Sequence, residues 1–270
     1  MTERDALTDA LQTHYGAAAR RGGEAANPAG DACGTGATVG CCTPSTAAAR
    51  DDRFGARLYD PAELDGLPST AVAASLGCAN PVALADLEAG EVVLDLGSGG
   101  GIDVLLSARR VGPTGWVCGL DMTPEMLELA RGNQARAGTT NVEFLEGRIE
   151  AVPLPDARVD VVVSSCVIGL SARKDAVFSE AFRVLRPGGR FAVADIIADR
   201  ELDAPGTVDT AEWAACLAGA LTRDQYRVRL ADAGFRNVAI AGSHAVRDGL
   251  TSVLVRARRP FACPGDLAAP

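Results

Sequence analysis

A strand that runs into a glycine-rich turn constrains this chain more than any other feature of its sequence. Residues 92–96 read VVLDL and residues 97–101 read GSGGG. Glycine lets the backbone turn tightly and lets a ligand approach without a Cβ in the way. The helix predicted from residue 102 directs free N–H groups at the turn, which favours a bound anionic group such as a carboxylate. The segment therefore predicts a ligand-binding loop at the end of a buried strand.

Apolar strands alternate with helices along most of the chain. The apolar pattern predicts strands at residues 91–96, 116–120, 142–145, 159–164, 190–197, 238–241 and 251–255. It predicts helices at residues 3–20, 102–111, 124–137, 175–185, 209–220 and 223–233. We expect Thr123 to cap the helix at residues 124–137, and Pro187-Gly188-Gly189 to stop the helix that ends at residue 185. Short buried strands between helices predict an α/β fold with a doubly wound, mostly parallel sheet covered on both faces.

Composition divides the chain into three parts. We predict an N-terminal helix with a flexible cysteine-bearing segment, a ligand-binding core, and a C-terminal extension of helix and strand, at residues 1–69, 70–200 and 201–270. Residues 21–52 are rich in Gly, Ala, Pro and Thr, which predicts a mobile loop or a strap over the main domain. An inert linker would not need the three cysteines of that stretch, which are Cys33, Cys41 and Cys42.

The charge of the chain excludes two classes of partner. Its formal net charge is −9, whereas a nucleic-acid footprint needs clustered positive charge, and so does a polybasic membrane contact. No run reaches the roughly 18 apolar residues that span a bilayer, and the first residues lack the apolar region of a secretory signal. We therefore predict a cytoplasmic protein whose thiols stay reduced and which binds neither nucleic acid nor membrane.

The spacing of the glycines separates two kinds of nucleotide loop. Gly97, Gly99 and Gly101 give G-x-G-x-G, whereas a dinucleotide fingerprint would have glycine or alanine at the position of Ile102. The second strand is followed by an acidic residue about 20 positions after the loop, where a carboxylate can accept hydrogen bonds from both ribose hydroxyls. That residue is Asp121, and the next residue, Met122, is then placed to lie against an adenine face.

In these motifs the chain resembles the class I methyltransferases that use S-adenosylmethionine, which have a Rossmann-like fold. The resemblance covers about residues 91–197. It implies that the methionine end of the cofactor is surrounded by Asp95, Gly97, Ser98, Gly99 and Gly101. It also implies that Asp121 binds the ribose beside Met122, and that Ile149 and Glu150 border the adenine.

Three of the eight cysteines can converge where an open α/β sheet binds its ligands, beyond the carboxyl ends of the strands. Cys78 precedes the first core strand, Cys166 follows the fourth, and Cys216 lies on a predicted helix after the fifth. Three thiols suit a soft, three-coordinate centre, and trivalent arsenic fits because it forms three As–S bonds and keeps a lone pair. Two alternatives stay open. Zinc prefers four ligands, and each cysteine could simply be a buried apolar side chain.

The segments around these cysteines are similar to those of the arsenite methyltransferase family, which carries Gly-Cys-x-Asn-Pro, Cys-Val-Ile and Cys-x-Ala-Gly-Ala elements. The resemblance extends over most of residues 59–221. It implies that arsenite is bound by Cys78, Cys166 and Cys216. It also implies that one of Cys41 or Cys42 joins a disulfide that returns arsenic to the trivalent state, with a thiol reductant of the thioredoxin or glutathione type as partner. Many relatives have glycine, asparagine and asparagine at three positions where this chain differs: Ala79, Ser165 and Gly169.

The function expected on this basis is methyl transfer from S-adenosylmethionine to arsenite and then to methylarsenite, for arsenic detoxification. Arsenite exchanges its hydroxyls for thiolates, and the arsenic lone pair attacks the methyl group in line. Methylarsenite has only two open positions. We expect Cys78 to be the thiol that is released, because it lies near the flexible segment. One alternative is a methyltransferase for another small molecule, and the other is an arsenic-binding protein without turnover.

Overall fold

The computed structural model describes residues 3–24, 53–202 and 218–261. Most of the predicted loop at residues 21–52 and most of the predicted helix at residues 209–220 lie outside these ranges. The predictions for five cysteines lie outside them too, and these are Cys33, Cys41, Cys42, Cys216 and Cys263.

The helices of the described ranges include four short elements that precede the core. The α-helices are α1 (Glu3–Glu24), α2 (Pro61–Leu64), α3 (Ser69–Ala73), α4 (Pro81–Leu84), α5 (Ile102–Val111), α6 (Pro124–Ala137), α7 (Lys174–Val184) and α8 (Arg223–Asp232). Two 3-10 helices occupy Gly55–Leu58 and Ile168–Leu170. The side chains of Asp60 and Asn80 cap α2 and α4 by accepting hydrogen bonds from the backbone, as short polar N-cap residues commonly do. None of these helices combines the length and the apolar character needed to cross a membrane.

One sheet runs through the molecule. Its strands are β1 (Val92–Leu96), β2 (Trp116–Asp121), β3 (Val142–Glu146), β4 (Val159–Ser165), β5 (Leu185–Ala198), β6 (Leu221–Thr222), β7 (Arg236–Arg247) and β8 (Leu250–Arg258). The order is β3-β2-β1-β4-β5-β8-β7, and β6 pairs separately with β5. Strands β1 to β5 are mutually parallel, whereas β8 is antiparallel to both β5 and β7. The predicted α/β fold with a mostly parallel sheet is confirmed.

Helices cover both faces of the sheet, as the continuous apolar strands require. Phe178 of α7 and Tyr226 of α8 are buried in the core on one face. Val104 of α5 and Leu127 of α6 are buried in the core on the other. The division of the chain at residues 69 and 200 stays a prediction, and the C-terminal strands β7 and β8 continue the sheet that β1 to β5 form.

Three local predictions were wrong. The helix α7 ends at Val184, and Pro187-Gly188-Gly189 lies inside β5. Leu185 and Arg190 pair with Val159 and Val161, so four residues of β5 bulge opposite a single residue of β4. A bulge leaves its residues out of the ladder, which is how a strand tolerates proline.

The other two corrections concern a helix end and a cap. Residues 218–219 form a turn, so the predicted helix at residues 209–220 does not extend to Ala220. Thr123 occupies the N-cap position of α6 but its side chain makes no capping hydrogen bond. Its backbone N–H instead donates to Asp121 Oδ1 over 2.8 Å. Thr123 therefore binds the carboxylate at the end of β2 and does not cap α6 with its side chain.

A capping box begins α8 and gives a test of this part of the fold. Thr222 Oγ1 accepts from Gln225 N over 3.2 Å, and Gln225 Oε1 accepts from Thr222 N over 3.0 Å. We expect Thr222→Ala to lower the free energy of unfolding by about 1 kcal/mol, because it leaves a helix N–H without its acceptor. Thr222→Ser keeps the hydroxyl and is the matched control. Urea unfolding measures both, and equal stability of the two variants would contradict the role of the cap.

Candidate functional site

A cavity of about 420 Å³ opens at the carboxyl ends of β1, β2 and β4. The strand order reverses between β1 and β4, and ligands of doubly wound sheets bind at such a point. Most of the predicted cofactor residues line the cavity, and these are Gly97, Ser98, Gly99, Asp121, Met122, Ile149 and Glu150. Asp95 and Gly101 lie outside its lining.

The glycine turn is held by β2 and by the loop that follows β4. Gly97 N and Ser98 N both donate to Leu120 O, over 2.8 and 2.9 Å. Gly97 has a φ of 75°, and a Cβ there would lie 2.5 Å from the side chain of Val167. Only glycine fits a left-handed position this close to a neighbour. The Ser98 hydroxyl is buried and has no hydrogen-bond partner among the described residues.

Asp121 lies at the end of β2 with both carboxylate oxygens engaged by the backbone. Its Oδ2 accepts from Gly99 N over 2.9 Å, and its Oδ1 accepts from Thr123 N over 2.8 Å. Burial raises the pKa of Asp121, and these hydrogen bonds act in the opposite direction. Each carboxylate oxygen has two lone pairs. The Thr123 side chain and the Met122 N–H also donate to this carboxylate, so ligand hydroxyls would bind there in competition with donors of the chain itself.

Two further carboxylates are buried beside the turn. Asp95 and Asp103 are 2% and 5% exposed, and Asp103 lines the cavity. Burial raises the pKa of Asp103 to about 7. Tyr59 Oη donates a hydrogen bond of 2.8 Å to Asp103 Oδ1, and this bond acts to lower the same pKa. Burial, Asp103 and Asp121 raise the pKa of Asp95 well above its ordinary value. In their ionised form these carboxylates attract a cationic ligand, and a cation bound beside them would in turn favour that form.

The helix α1 covers the cavity. Leu11, His14 and Tyr15 belong to its lining, and Gln12 Nε2 donates to Met122 O over 2.9 Å. Arg20 pairs with Glu125 over 2.7 Å, but both side chains are largely exposed and such a pair contributes little stability. Apolar packing is therefore the main force that holds α1 over the cavity.

Two of the three predicted arsenic ligands lie in one apolar cluster beside the cavity. We call this the thiol cluster, and its buried members are Leu11, Cys78, Ala79, Cys166, Leu170, Ala194, Ile196, Ala198, Ala220, Val246 and Leu250. Cys166 lines the cavity and Cys78, which has no exposed surface, does not. Cys166 has a φ of 58°, a conformation that costs a non-glycine residue roughly 1–2 kcal/mol and commonly marks a functional position. Cys216 lies outside the described residues.

A buried Asp195–Tyr226 pair lies next to the thiols. Tyr226 Oη donates to Asp195 Oδ2 over 3.2 Å, and both residues are almost fully buried. Burial raises the pKa of Asp195 to about 6. Burial and the charge of Asp195 raise the pKa of Tyr226, and ionised Cys78 and Cys166 would raise it further. Both sulfur atoms are therefore within electrostatic reach of one phenol hydroxyl.

Comparison with known proteins identifies this constellation. A family model described as a methyltransferase domain matches residues 87–234. The crystal structure of an arsenic (III) S-adenosylmethionine methyltransferase from Chlamydomonas reinhardtii superposes with a TM-score of 0.59 at 34% sequence identity, covering 71% of this chain and 70% of that one. The chain belongs to the arsenite methyltransferase family.

Two curated members of the arsenite methyltransferase family illustrate how much of them this chain represents. The arsenite methyltransferase of Halobacterium salinarum is 45% identical over 75% of this chain and 51% of its own length. The human arsenite methyltransferase is 36% identical over 53% of this chain and 40% of its own length. The chain spans about half the length, or less, of these curated relatives.

Several residues of the site were missed by the sequence analysis. Tyr59 and Asp103 lie 44 positions apart and Asp195 and Tyr226 lie 31 apart, so neither pair has a local signature. Asp103 lies in the first turn of α5, where an acidic residue interacts favourably with the helix dipole. Its position in the sequence therefore has a structural explanation and does not by itself indicate a residue of the cavity. Within the described ranges, no group of three or more His, Cys, Asp or Glu side chains is arranged to hold a metal ion.

The raised pKa of Asp195 makes a prediction for this member of the arsenite methyltransferase family. The folded state binds more protons than the unfolded state between pH 4 and 6, so the contribution of Asp195 to stability falls as the pH rises through that range. Relative to Asp195→Asn, we expect the parent chain to lose about 2 kcal/mol of unfolding free energy between pH 4 and pH 7. Urea unfolding of both chains measures the difference, because the contributions of all other titratable groups are the same in the two chains and cancel. A difference that does not change with pH would contradict this assignment.

Proposed function

We propose that this chain methylates trivalent arsenic, arsenite first and methylarsenite second, with S-adenosylmethionine as the methyl donor. The observation that carries the proposal is the position of Cys166, which lines the same cavity as the glycine turn and lies in the same apolar cluster as Cys78. A thiol-bound substrate and a bound cofactor would therefore be neighbours. The family assignment supports the same reaction, and detoxification of arsenic is the role that such a reaction serves.

The residues of the cavity fit S-adenosylmethionine. Its sulfonium and ammonium groups are cationic, which suits Asp103 in the cavity lining and Asp95 buried beside the glycine turn. The Ser98 hydroxyl, which has no partner among the described residues, offers a hydrogen bond to the methionine end. We assign the ribose to Asp121, and the adenine to Met122 and Ile149. When bound there, the cofactor supplies an electrophilic methyl group, the chemistry that a lone pair on trivalent arsenic requires.

The thiols hold the substrate. Arsenite exchanges each of its three hydroxyls for a cysteine sulfur, and each exchange forms one As–S bond and releases one water that carries the thiol proton. No separate general base is needed for this step. We assign Cys78, Cys166 and Cys216 to these three bonds, with residues 201–270 completing the arsenic site. The assignment of Cys216 is supported by Ala220, four positions further on, which is buried in the thiol cluster.

The surroundings contribute orientation and exclude water. Helix α1 covers the cavity with apolar side chains, and β5 holds the backbone of Cys166, whose N–H donates to Ala194 O over 2.8 Å. Holding two reactants in line is worth up to about 7–11 kcal/mol of activation free energy. Methylation oxidises arsenic, so a reductant must return it to the trivalent state. We assign that role to a pair of thiols that includes Cys41 or Cys42. The pair gives two electrons to the pentavalent arsenic and becomes a disulfide, which a thioredoxin- or glutathione-type partner then reduces.

One assay separates this proposal from its two alternatives. The protein is incubated with S-adenosylmethionine labelled in the methyl group, with and without arsenite and a thiol reductant. Label in methylated arsenic supports the proposal, and label in another added acceptor indicates a different methyltransferase. Arsenic that binds without any transfer of label indicates an arsenic-binding protein.

The acidic residues of the cavity predict a pH dependence of cofactor affinity. Because the pKa of Asp103 is about 7, lowering the pH from 8 to 6 protonates its carboxylate and removes the charge that favours a cation. We expect the Kd of S-adenosylmethionine to rise about tenfold over that range. Asp103→Asn should flatten the profile, whereas Asp224→Asn, in the exposed first turn of α8, should leave it unchanged. Calorimetry at pH 6, 7 and 8 measures all three, and parallel profiles would exclude Asp103.

The number of open positions on arsenic predicts different effects for the thiols. Methylarsenite can form only two As–S bonds, and Cys166 is the described thiol that lines the cavity. We expect Cys78→Ser to abolish methylation of arsenite and to retain methylation of methylarsenite. Cys166→Ser and Cys216→Ser should lose both activities and still bind cofactor. Cys118→Ser, in the middle of β2, is the control for loss of a buried thiol. Near-parent activity of Cys166→Ser would contradict the three-thiol mechanism.

A further inference from the structure

The backbone around Cys78 is anchored more firmly than its place before the core sheet suggests. We call residues 77–79 the thiol loop. Its three successive carbonyl oxygens each accept a hydrogen bond from a different part of the chain. Gly77 O accepts from Gly55 N over 2.8 Å, Cys78 O from Ser252 Oγ over 2.8 Å, and Ala79 O from Ser165 Oγ over 3.1 Å.

Two of these donors are side chains, and both come from the core sheet. Ser252 lies in β8, has no exposed surface, and donates to a carbonyl 174 positions away in sequence. Ser165 ends β4 and immediately precedes Cys166. The hydroxyl of Ser165 therefore links the residue next to one thiol with the residue next to the other.

The contact between the thiol loop and β4 leaves little room for adjustment. A Cβ at position 77 would lie 2.2 Å from Ser165 Oγ, so glycine is required there for the serine to reach Ala79 O. These contacts hold the backbone of Cys78 in place, which its position near the predicted flexible segment did not indicate. Its peptide is buried, and a buried carbonyl that loses its donor is costly, which keeps the loop in one position.

We propose that Ser252 and Ser165 are positioning residues that fix Cys78 at the distance from Cys166 at which a third As–S bond forms. The inference rests on the proposed function and adds to it. Arsenite has three exchangeable positions and needs Cys78, so its affinity depends on the anchored loop. Methylarsenite has two, so its affinity does not require Cys78. The two serines thereby set the preference of the site for arsenite over methylarsenite.

The test measures binding of each arsenical by equilibrium dialysis, with bound arsenic counted by mass spectrometry. We expect Ser252→Ala to weaken arsenite binding about tenfold and methylarsenite binding less than twofold. Ser165→Ala should change the two affinities in the same directions. Ser107→Ala is the matched control, because its hydroxyl is equally buried but has no partner among the described residues. It should change neither affinity, and thermal unfolding confirms that each variant is folded.

A double-mutant cycle distinguishes positioning of Cys78 from general loosening of the core. If Ser252 acts through Cys78, Ser252→Ala has no further effect on arsenite binding once Cys78→Ser is present. Additive losses, or equal weakening of both arsenicals by Ser252→Ala, would overturn the inference. If the Ser252→Ala variant does not fold, the same double-mutant cycle is measured with Ser165→Ala in its place, and the same outcomes support or overturn the inference. A parent chain that binds neither arsenical refutes the proposed function itself, which is a separate outcome.

Discussion

The parallel pairing of β1 with β4 is the contact on which the site depends. Leu96 and Ser164 are paired at the ends of these strands, and Ser164 Oγ donates to Leu96 O over 2.7 Å in the core. The chain order reverses here, so the loops that follow the two strands diverge and leave a crevice. One loop is the glycine turn and the other carries Cys166. The pairing of β1 with β4 thus brings the proposed donor and the proposed acceptor of the methyl group together.

The site also depends on strands that are far away in sequence. The antiparallel strand β8 provides Ser252 to the loop of Cys78, and β5 provides Asp195 to the phenol beside both thiols. Burying the carboxylates of Asp103 and Asp195 opposes their ionisation, so these groups reduce the stability of the fold at neutral pH. A chain selected for stability alone would replace them, and their presence at one edge of the sheet is what a functional site is expected to have.

The sequence predicted the elements whose signals are local. Helices α5 and α6 have the predicted bounds, because a glycine turn precedes one and a proline begins the other. The bulge around Pro187 was not predicted, because it depends on the opposite strand. The anchoring of Cys78 was not predicted either, because its donor lies 174 positions away. A spacing can suggest that three thiols converge, but it cannot indicate how rigidly each is held.

The charge around the thiols bears on why the site would take arsenic and not a divalent metal. Three thiolates cancel the charge of As(III), so the adduct is neutral, whereas three thiolates with Zn²⁺ leave one negative charge. That charge would lie in an apolar cluster near Asp195, where burial already opposes ionisation. An unpaired buried charge is costly. Zinc would also need a fourth ligand. The neutrality of the arsenic adduct and the number of thiols are therefore the two properties of the proposed site that favour a trivalent, three-coordinate centre.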